Sequence, residues 1–450
     1  MNKLFGTDGI RGVANQYPLD AETAIKAGRA IADFFCGQTE KGRFVIGRDT
    51  RISGDMLVFA ISAGICSMGH DVRIAEIIPT PGLAYLTRSG NYDAGIMISA
   101  SHNPYGDNGI KLFRSDGFKL SDDDEARIEH EILESDPLYR KSRTVSRLGT
   151  IFRMDDAADR YCGFLRECMG SGFSLEGVRL VMDCAHGAAS KVAPKLFREL
   201  GAQVTAICCN PNGININENC GSQHTGTLSA RVVAEKVDIG LAFDGDADRL
   251  IVVDENGKSL SGDQIMAVCA KSMMERGILN NQVVVSTVMS NMGFGTALKK
   301  MGVRHIQASV GDRHVVEEMR KTGAVLGGED SGHLIFLNSH TTGDGMLAAL
   351  NLLNAVRRSN TPLSELSTIM TVYPQCLINV DVSSKPPLDQ IPDLVKVISH
   401  VESKLGENGR VLVRYSGTQS QCRVMVEGPT ETETRSLCEE IAWVVKKELG

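Results

Sequence analysis

At 450 residues the chain is too long for a single ordinary core, so several domains of roughly 100–200 residues are expected. Its 42% hydrophobic and 23% charged residues exclude a disordered chain. Only 5% aromatic residues and a net charge of −7 argue against a nucleic-acid partner, which would call for base stacking or a basic surface.

Short β-branched or apolar runs alternate with helical patterns, which reads as α/β with mainly parallel or mixed sheets. In chain order the spacing predicts a helix over 21–35, a strand over 43–47, a helix over 54–68 and a strand over 93–99. The polar, basic stretch 137–155 follows as a linker. Strands over 178–183 and 202–207 flank a helix over 188–200, and a strand over 238–243 leads to a hairpin over 249–259 with an Asn-Gly turn signal. Next come a helix over 262–276, strands over 282–288 and 303–308, and helices over 312–321 and 343–357. After a Pro-containing break at 359–363 the order changes to strand 372–382, helix 388–404, strands 409–414 and 422–427, and helix 430–448. Four domains follow: three similar mixed-sheet α/β domains over 1–147, 148–250 and 251–366, and a smaller C-terminal α+β domain over 367–450. Each of the first three holds two or three strand–helix pairs and one unusual loop, the pattern of distant repeats of one α/β unit.

The start MNKLFGTDGIRG has no apolar signal core and no apolar run reaches membrane-spanning length, so no membrane partner is expected. The twelve cysteines form no CxxC pair, and Cys208–Cys209 are adjacent rather than at ligand spacing. Most others, such as Cys66, Cys184 and Cys269, sit in apolar-periodic segments as small core residues, which suits a reducing cytoplasm.

Four loops carry chemistry. The first, Ser99-Ala-Ser-His-Asn-Pro-Tyr-Gly-Asp-Asn-Gly-Ile-Lys111, follows an apolar strand. Ser101 there is a nucleophile if activated or phosphorylated, and otherwise part of a turn with local hydrogen bonds. His102 is its sequence neighbour, a relation that rarely lets two side chains face each other, so it is not taken as the base. The second loop, Phe243-Asp-Gly-Asp-Ala-Asp-Arg249, sets Asp244, Asp246 and Asp248 at alternate positions. Carboxylates this close repel unless a cation sits among them, and oxygen-only ligation favours Mg²⁺ or Ca²⁺. An EF-hand is ruled out because its sixth position requires Gly and here holds Arg249, and because LIVV reads on as a strand. Arg249 itself is poised to contact a phosphate oxygen. The third loop, Gly327-Gly-Glu-Asp-Ser-Gly-His333, offers Glu329, Ser331 and His333 as the mixed donors and acceptors that sugar hydroxyls need. The fourth, Arg414-Tyr-Ser-Gly-Thr-Gln-Ser-Gln-Cys-Arg423, joins Arg414, Ser416, Gly417, Thr418 and Arg423 into an anion cradle or, read blandly, a polar hairpin. Two supporting segments, 5–12 with Arg11 and 47–54, either lean phosphate-binding groups toward the same place or are capped turns.

These loops, in this order, resemble the α-D-phosphohexomutase superfamily, and within it the branch acting on amino-sugar phosphates. KLFGTDGIRG at 3–12, SASHNPYGDNGIK at 99–111, PNGININENCGS at 211–222 and SVGDRHV at 309–315 add to the likeness, which covers essentially the whole chain. The resemblance implies four domains around a central cleft, each giving one loop. It implies that Ser101 carries a phosphoryl group, and that with Asp244, Asp246 and Asp248 it binds one Mg²⁺ per site. Glu329, Ser331 and His333 would grip the sugar; Arg414, Ser416, Gly417, Thr418 and Arg423 would hold the unreacting phosphate. Arg11, Lys111 and Arg249 would line the reaction site, with Lys111 an acid/base or a charge stabiliser. The implied partner is a small-molecule hexosamine phosphate, with a bisphosphorylated hexosamine as intermediate and activator; a homodimer is left open. Two departures stand out: the family's SGTEP reads Ser416-Gly-Thr-Gln-Ser420 here, and Asp330 replaces the Gln more common in the amino-sugar branch. The rival readings are a sister mutase for mannose or glucose phosphates, a metal phosphatase with Asp244 as nucleophile, and a sugar-phosphate sensor.

Overall fold

The computed structural model describes residues 4–6, 8–37, 41–134, 145–416 and 420–450. The chain divides into two compact units, Met1–Val288 with Ile306–Ser367, and Met289–His305 with Thr368–Gly450.

The first unit is built on three mixed sheets. The first sheet contains β1 (Phe5–Gly6), β2 (Gly9–Val13), β3 (Arg43–Arg48), β4 (Asp71–Ile77), β5 (Ala94–Ile98), β6 (Asp107–Arg114) and β7 (Ile151–Arg153), in the order β1-β2-β6-β5-β3-β4-β7. The second contains β8 (Arg179–Asp183), β9 (Gln203–Ile207), β10 (Ile239–Phe243), β11 (Leu250–Val253) and β12 (Ser259–Leu260), ordered β12-β11-β10-β8-β9. In the third, β13 (Val283–Thr287), β14 (Arg304–Ala308), β15 (Leu326–Gly328) and β16 (Leu334–Phe336) run in the order β14-β13-β15-β16.

One winding recurs in all three. A strand pairs on one side with the strand that follows it and on the other with the third; the fourth then adds to the third. The central pairs β3/β5, β8/β10 and β13/β15 are parallel, whereas β5/β6, β10/β11 and β15/β16 are antiparallel. The repeat expected from the sequence is therefore a repeat of topology. The third strands are the most enclosed: every residue of β5 (AGIMI) and β10 (IGLAF) is buried, the unbroken apolar run of a strand covered on both faces. In each sheet the connection leaving the third strand is one of the loops the sequence singles out: 99–106 after β5, 244–249 after β10 and 329–333 after β15.

The stretch expected to be a linker is more ordered than its polarity suggests. Residues 137–144 lie outside the described residues, but Ile151–Arg153 pairs in parallel with Val72–Ile74 as the edge strand of the first sheet. Three exposed residues between polar flanks carry too little periodicity to reveal such a strand.

The second unit is smaller. β17 (Gln375–Asp381), β18 (Arg410–Tyr415) and β19 (Gln421–Glu427) form an antiparallel sheet in the order β17-β19-β18. The helices Pro392–Leu405 and Glu431–Leu449 bury Leu394, Val401, Leu437, Ile441 and Val445 with Val424 and Val426 of β19. Among the described residues, no helix is long and apolar enough to cross a membrane.

Candidate active site

Ser101 sits just beyond the C-terminal end of β5, 1% exposed and in the left-handed region at φ 51°. Its Oγ donates to Asp244 Oδ2 at 2.6 Å, bridging two loops 143 residues apart. Gly245 makes that approach possible, since a Cβ there would stand 2.6 Å from the Ser101 carbonyl oxygen. His102 Nδ1 lies 3.3 Å from the same Oγ, so the sequence neighbours do meet. Burial, followed by the charge of Arg249, pushes the His102 pKa down to about 4, which leaves the ring neutral at neutral pH.

The loop is held from behind by residues the sequence did not single out. Arg51, 1% exposed, pairs with Asp49 at 2.9 Å and donates to the carbonyls of Ser101 at 3.0 Å, Asn103 at 2.7 Å, Asp107 at 3.0 Å and Pro104. Asp49 also accepts from Ser99 Oγ at 2.7 Å. Asn217 Nδ2 donates to the carbonyls of Ser101 at 2.9 Å and Asn103 at 3.0 Å. Of the two arginines in the 47–54 segment, Arg51 is spent on loop carbonyls and Arg48 pairs with Asp55 at 2.8 Å.

Asp244, Asp246 and Asp248 are all buried, with one oxygen of each within 4.8 Å of the others. Burial, then the charges of Asp248 and Asp246, hold the Asp244 carboxyl well above the usual range. For Asp248 burial acts the same way, but Lys111 and His333 outweigh it and hold the pKa well below. Asp246 Oδ2 accepts from Thr80 Oγ1 at 2.5 Å and Lys111 Nζ at 2.9 Å, whereas Asp246 Oδ1 and Asp248 Oδ1 are buried without a hydrogen-bond partner. Carboxylate oxygens that lack a hydrogen bond among the described residues and converge with a third carboxylate fit a bound cation, because a buried acceptor left unsatisfied is otherwise costly.

Lys111, on β6 and 1% exposed, reaches Asp246 at 2.9 Å, Asp8 at 3.2 Å and Asp248 at 3.4 Å. Burial works against its charge, yet Asp246, Asp8 and Asp248 raise its pKa, so it is a fixed cation. Arg11 bonds Asp8 at 2.6 Å, and its charge is supported by Asp8 and Asp246 against burial. Arg249 turns its backbone N–H to Asp244 Oδ1 at 3.2 Å, and its buried Nε has no hydrogen-bond partner.

The third loop joins the second through backbone: Leu250 N–H donates to the Gly332 carbonyl at 3.0 Å. Glu329 accepts the Gly311 N–H at 3.1 Å, and the Ser331 hydroxyl is buried without a partner. His333 stands apart from these two. It is 3% exposed, with Nδ1 3.6 Å from Asp248 and Nε2 3.5 Å from Asp312, and Nε2 also accepts the Gly343 N–H at 3.2 Å. Burial opposes its charge, but Asp248 and then Asp312 raise its pKa; the charged ring faces these two carboxylates, and only the neutral ring accepts from Gly343.

In the second unit Arg414 and Arg423 are direct cross-strand partners on β18 and β19. Among the described residues neither buried Nε has a hydrogen-bond partner, and burial, then Arg423, lower the Arg414 pKa. Like charges placed opposite one another call for an anion between them. Ser416 caps the pair, its N–H donating to the Gln421 carbonyl at 2.8 Å and its own carbonyl accepting from Lys385 at 2.7 Å. Gly417 and Thr418 lie outside the described residues.

The chain matches all four family models of the phosphoglucomutase/phosphomannomutase proteins: alpha/beta/alpha domain I over 2–138, domain II over 159–257, domain III over 261–373 and the C-terminal domain over 377–443. It is 55% identical to a phosphoglucosamine mutase of Syntrophus aciditrophicus over 452 residues, and 53% identical to one of Syntrophobacter fumaroxidans over 450, with 100% of each chain covered in both cases. Among solved structures, a phosphoglucomutase/phosphomannomutase family protein from Burkholderia thailandensis shares the fold, with TM-score 0.82, 24% identity, and coverage of 99% of this chain and 97% of that one. So does the Aspergillus fumigatus N-acetylphosphoglucosamine mutase solved with GlcNAc-6P and magnesium, with TM-score 0.68, 16% identity, and coverage of 99% and 95%. Four matching domain models and full-length relatives above half identity place the chain in the phosphoglucomutase/phosphomannomutase family, among its phosphoglucosamine mutases.

Proposed function

We propose that the chain interconverts glucosamine 6-phosphate and glucosamine 1-phosphate through a phosphorylated Ser101. The observation that carries this is the buried contact of Ser101 Oγ with Asp244 at 2.6 Å, inside three carboxylates with two orphaned oxygens. The enzyme is an isomerase that moves a phosphoryl group within one sugar, as its full-length relatives are named for. In the forward half-reaction the free hydroxyl of the hexosamine phosphate attacks phosphorus. The bond from phosphorus to Ser101 Oγ breaks, a bond to the sugar oxygen forms, and the hydroxyl proton ends on Oγ. The bisphosphorylated hexosamine then turns over in the site, and its other phosphoryl group returns to Ser101 by the reverse step. If it escapes early, the same bisphosphate re-primes the serine, which makes it the activator as well.

Such a transfer needs alignment and charge compensation more than covalent help. Lys111 supplies a cation rather than a base, since three carboxylates hold its proton, and Arg11 and Arg249 add positive charge. Mg²⁺, held by Asp244, Asp246 and Asp248 with the phosphoserine, would neutralise charge on the phosphoryl oxygens. Glu329 and the unpartnered Ser331 hydroxyl suit sugar hydroxyls, while His333 keeps Asp248 in position. Arg414, Ser416 and Arg423, with Gly417 and Thr418, are assigned to the phosphate that does not react. Charged substrate and product suit a cytoplasmic reaction that feeds amino-sugar nucleotide and cell-wall precursor synthesis.

Intact-mass analysis of the full chain tests the relay. A phosphate-sized addition mapped to Ser101 and lost on incubation with glucosamine phosphate is the expected result. A Ser101→Ala protein with full activity would favour the phosphatase reading. Turnover measured on glucosamine, glucose and mannose phosphates tests the sugar, and equal or faster rates on the neutral sugars overturn the amino-sugar assignment.

A further inference from the structure

Behind the aspartate loop lies a second set of donors that phosphoryl transfer leaves unused. Asp183, Ile207 and Phe243 end the parallel strands β8, β9 and β10, so the residues after them gather along one sheet edge. His186, Cys208 and Cys220 meet there, with one ligand atom of each within 4.8 Å of the others. Cys220 is buried and the other two are half-buried. Asp183, with no exposure, stands beside the cluster: its Oδ1 accepts the Ala185 N–H at 2.9 Å, and the Cys208 thiol donates to the carboxylate.

The backbone is set for the cluster. Ala185, His186 and Cys208 all adopt positive φ, at 52°, 49° and 52°, a conformation that non-glycine residues hold only where the surroundings impose it. The His186 N–H donates to the Cys208 carbonyl at 2.6 Å, and the Asn217 N–H to the Ala185 carbonyl at 2.9 Å. The His186 Nδ1 lone pair is engaged only by the exposed Asn210 amide at 3.2 Å, a bond that solvent can take over when a metal claims the nitrogen.

We propose that His186, Cys208 and Cys220 form a soft-metal site for Zn²⁺, with the fourth position left to water. Two sulfurs and an imidazole nitrogen are a zinc-type donor set, whereas the all-oxygen aspartate loop selects a hard cation. Binding forms two Zn–S bonds and releases the two thiol protons to solvent. Occupancy ties together segments that support the reaction centre: Ala188 N–H donates to the Gly245 carbonyl at 2.8 Å, and Asn217 holds the Ser101 carbonyl.

The test uses the reduced, full-length protein, freed of metal by a chelator and supplied with excess Mg²⁺. Added Co²⁺ should give a thiolate-to-metal charge-transfer band at one equivalent, displaced by Zn²⁺ and lost in Cys208→Ser and Cys220→Ser. Alkylation mapped by mass spectrometry avoids dependence on the variants' folding: Zn²⁺, but not Mg²⁺, should protect Cys208 and Cys220 of the unaltered chain. Absence of both the band and the protection overturns the proposal, as does a band that survives in the two serine variants.

Discussion

The side chain that most decides where Ser101 points is Arg51. Truncating it leaves the Asp49 charge buried and unpaired and removes one donor from each of four loop carbonyls, of which Ser101 and Asn103 keep Asn217. Arg51→Ala should therefore destabilise the first unit by about 3–5 kcal/mol, read as a lowered Tm. Asn217→Ala is milder, since Arg51 still holds both carbonyls. It should lower kcat roughly tenfold, about 1.4 kcal/mol of lost positioning, with KM little changed in steady-state assays. Neither residue was readable as a clamp in the sequence, because each acts on carbonyls 50 or more positions away. The aspartate trio was readable because its logic is local: carboxylates that close need a cation. Ser101 became readable only beside the other loops. His102 shows the opposite limit, since the positive φ at Ser101 lets adjacent residues converge where alternation would separate them.

At the scale of elements, the helix Gly345–Ser359 begins on a buried acid. Asp344 caps it, accepting the Leu347 N–H at 2.9 Å, and its other oxygen accepts the Tyr161 hydroxyl at 2.9 Å. Burial raises its pKa from 3.8 to about 7. The folded value lies above the unfolded one, so this stabilisation is complete below about pH 4 and is lost as pH rises through 7. Asparagine keeps the cap and cannot ionise. Asp344→Asn should therefore gain on the parent chain between pH 4 and 8, by up to about 4 kcal/mol, seen as a Tm difference that widens with pH. Helices such as Ala21–Cys36, Gly262–Glu275 and Glu431–Leu449 and the enclosed strands β5 and β10 followed from apolar spacing, whereas the helices Thr80–Ser89, Asp122–Leu133 and Ala157–Met169 did not. Spacing also hid β6, where Lys111 lies inside because Asp8, Asp246 and Asp248 surround it.

At the scale of the whole molecule, the C-terminal sheet is not a simple appendage that follows Ser367. The segment Met289–His305 belongs to its unit. Asn291 exchanges bonds with Tyr373 at 2.9 and 3.1 Å, and the Met292 N–H donates to the fully buried Glu427 at 2.9 Å. Arg410 neutralises Glu427 at 2.7 Å and also donates to the Ser290 carbonyl. A chain ending at Ser367 would keep 289–305 but lose all of these partners. It should accumulate as insoluble or early-melting protein, measured as soluble yield and Tm beside the full chain. The four-domain layout was legible because each family loop sits in its own stretch of sequence. This interleaving was not, since it depends on which unit a single helix joins.

The seam between the second and third loops decides which positions of the third loop can vary. Gly332 lies at φ 90°, and a Cβ on it would stand 2.2 Å from the Leu250 carbonyl oxygen, so that backbone position has no freedom to drift. The side chains of Glu329, Asp330 and Ser331 beside it are only half-buried and carry no such constraint. Substitutions at those three positions can change what the third loop offers a ligand while Gly332 keeps its backbone docked on Leu250.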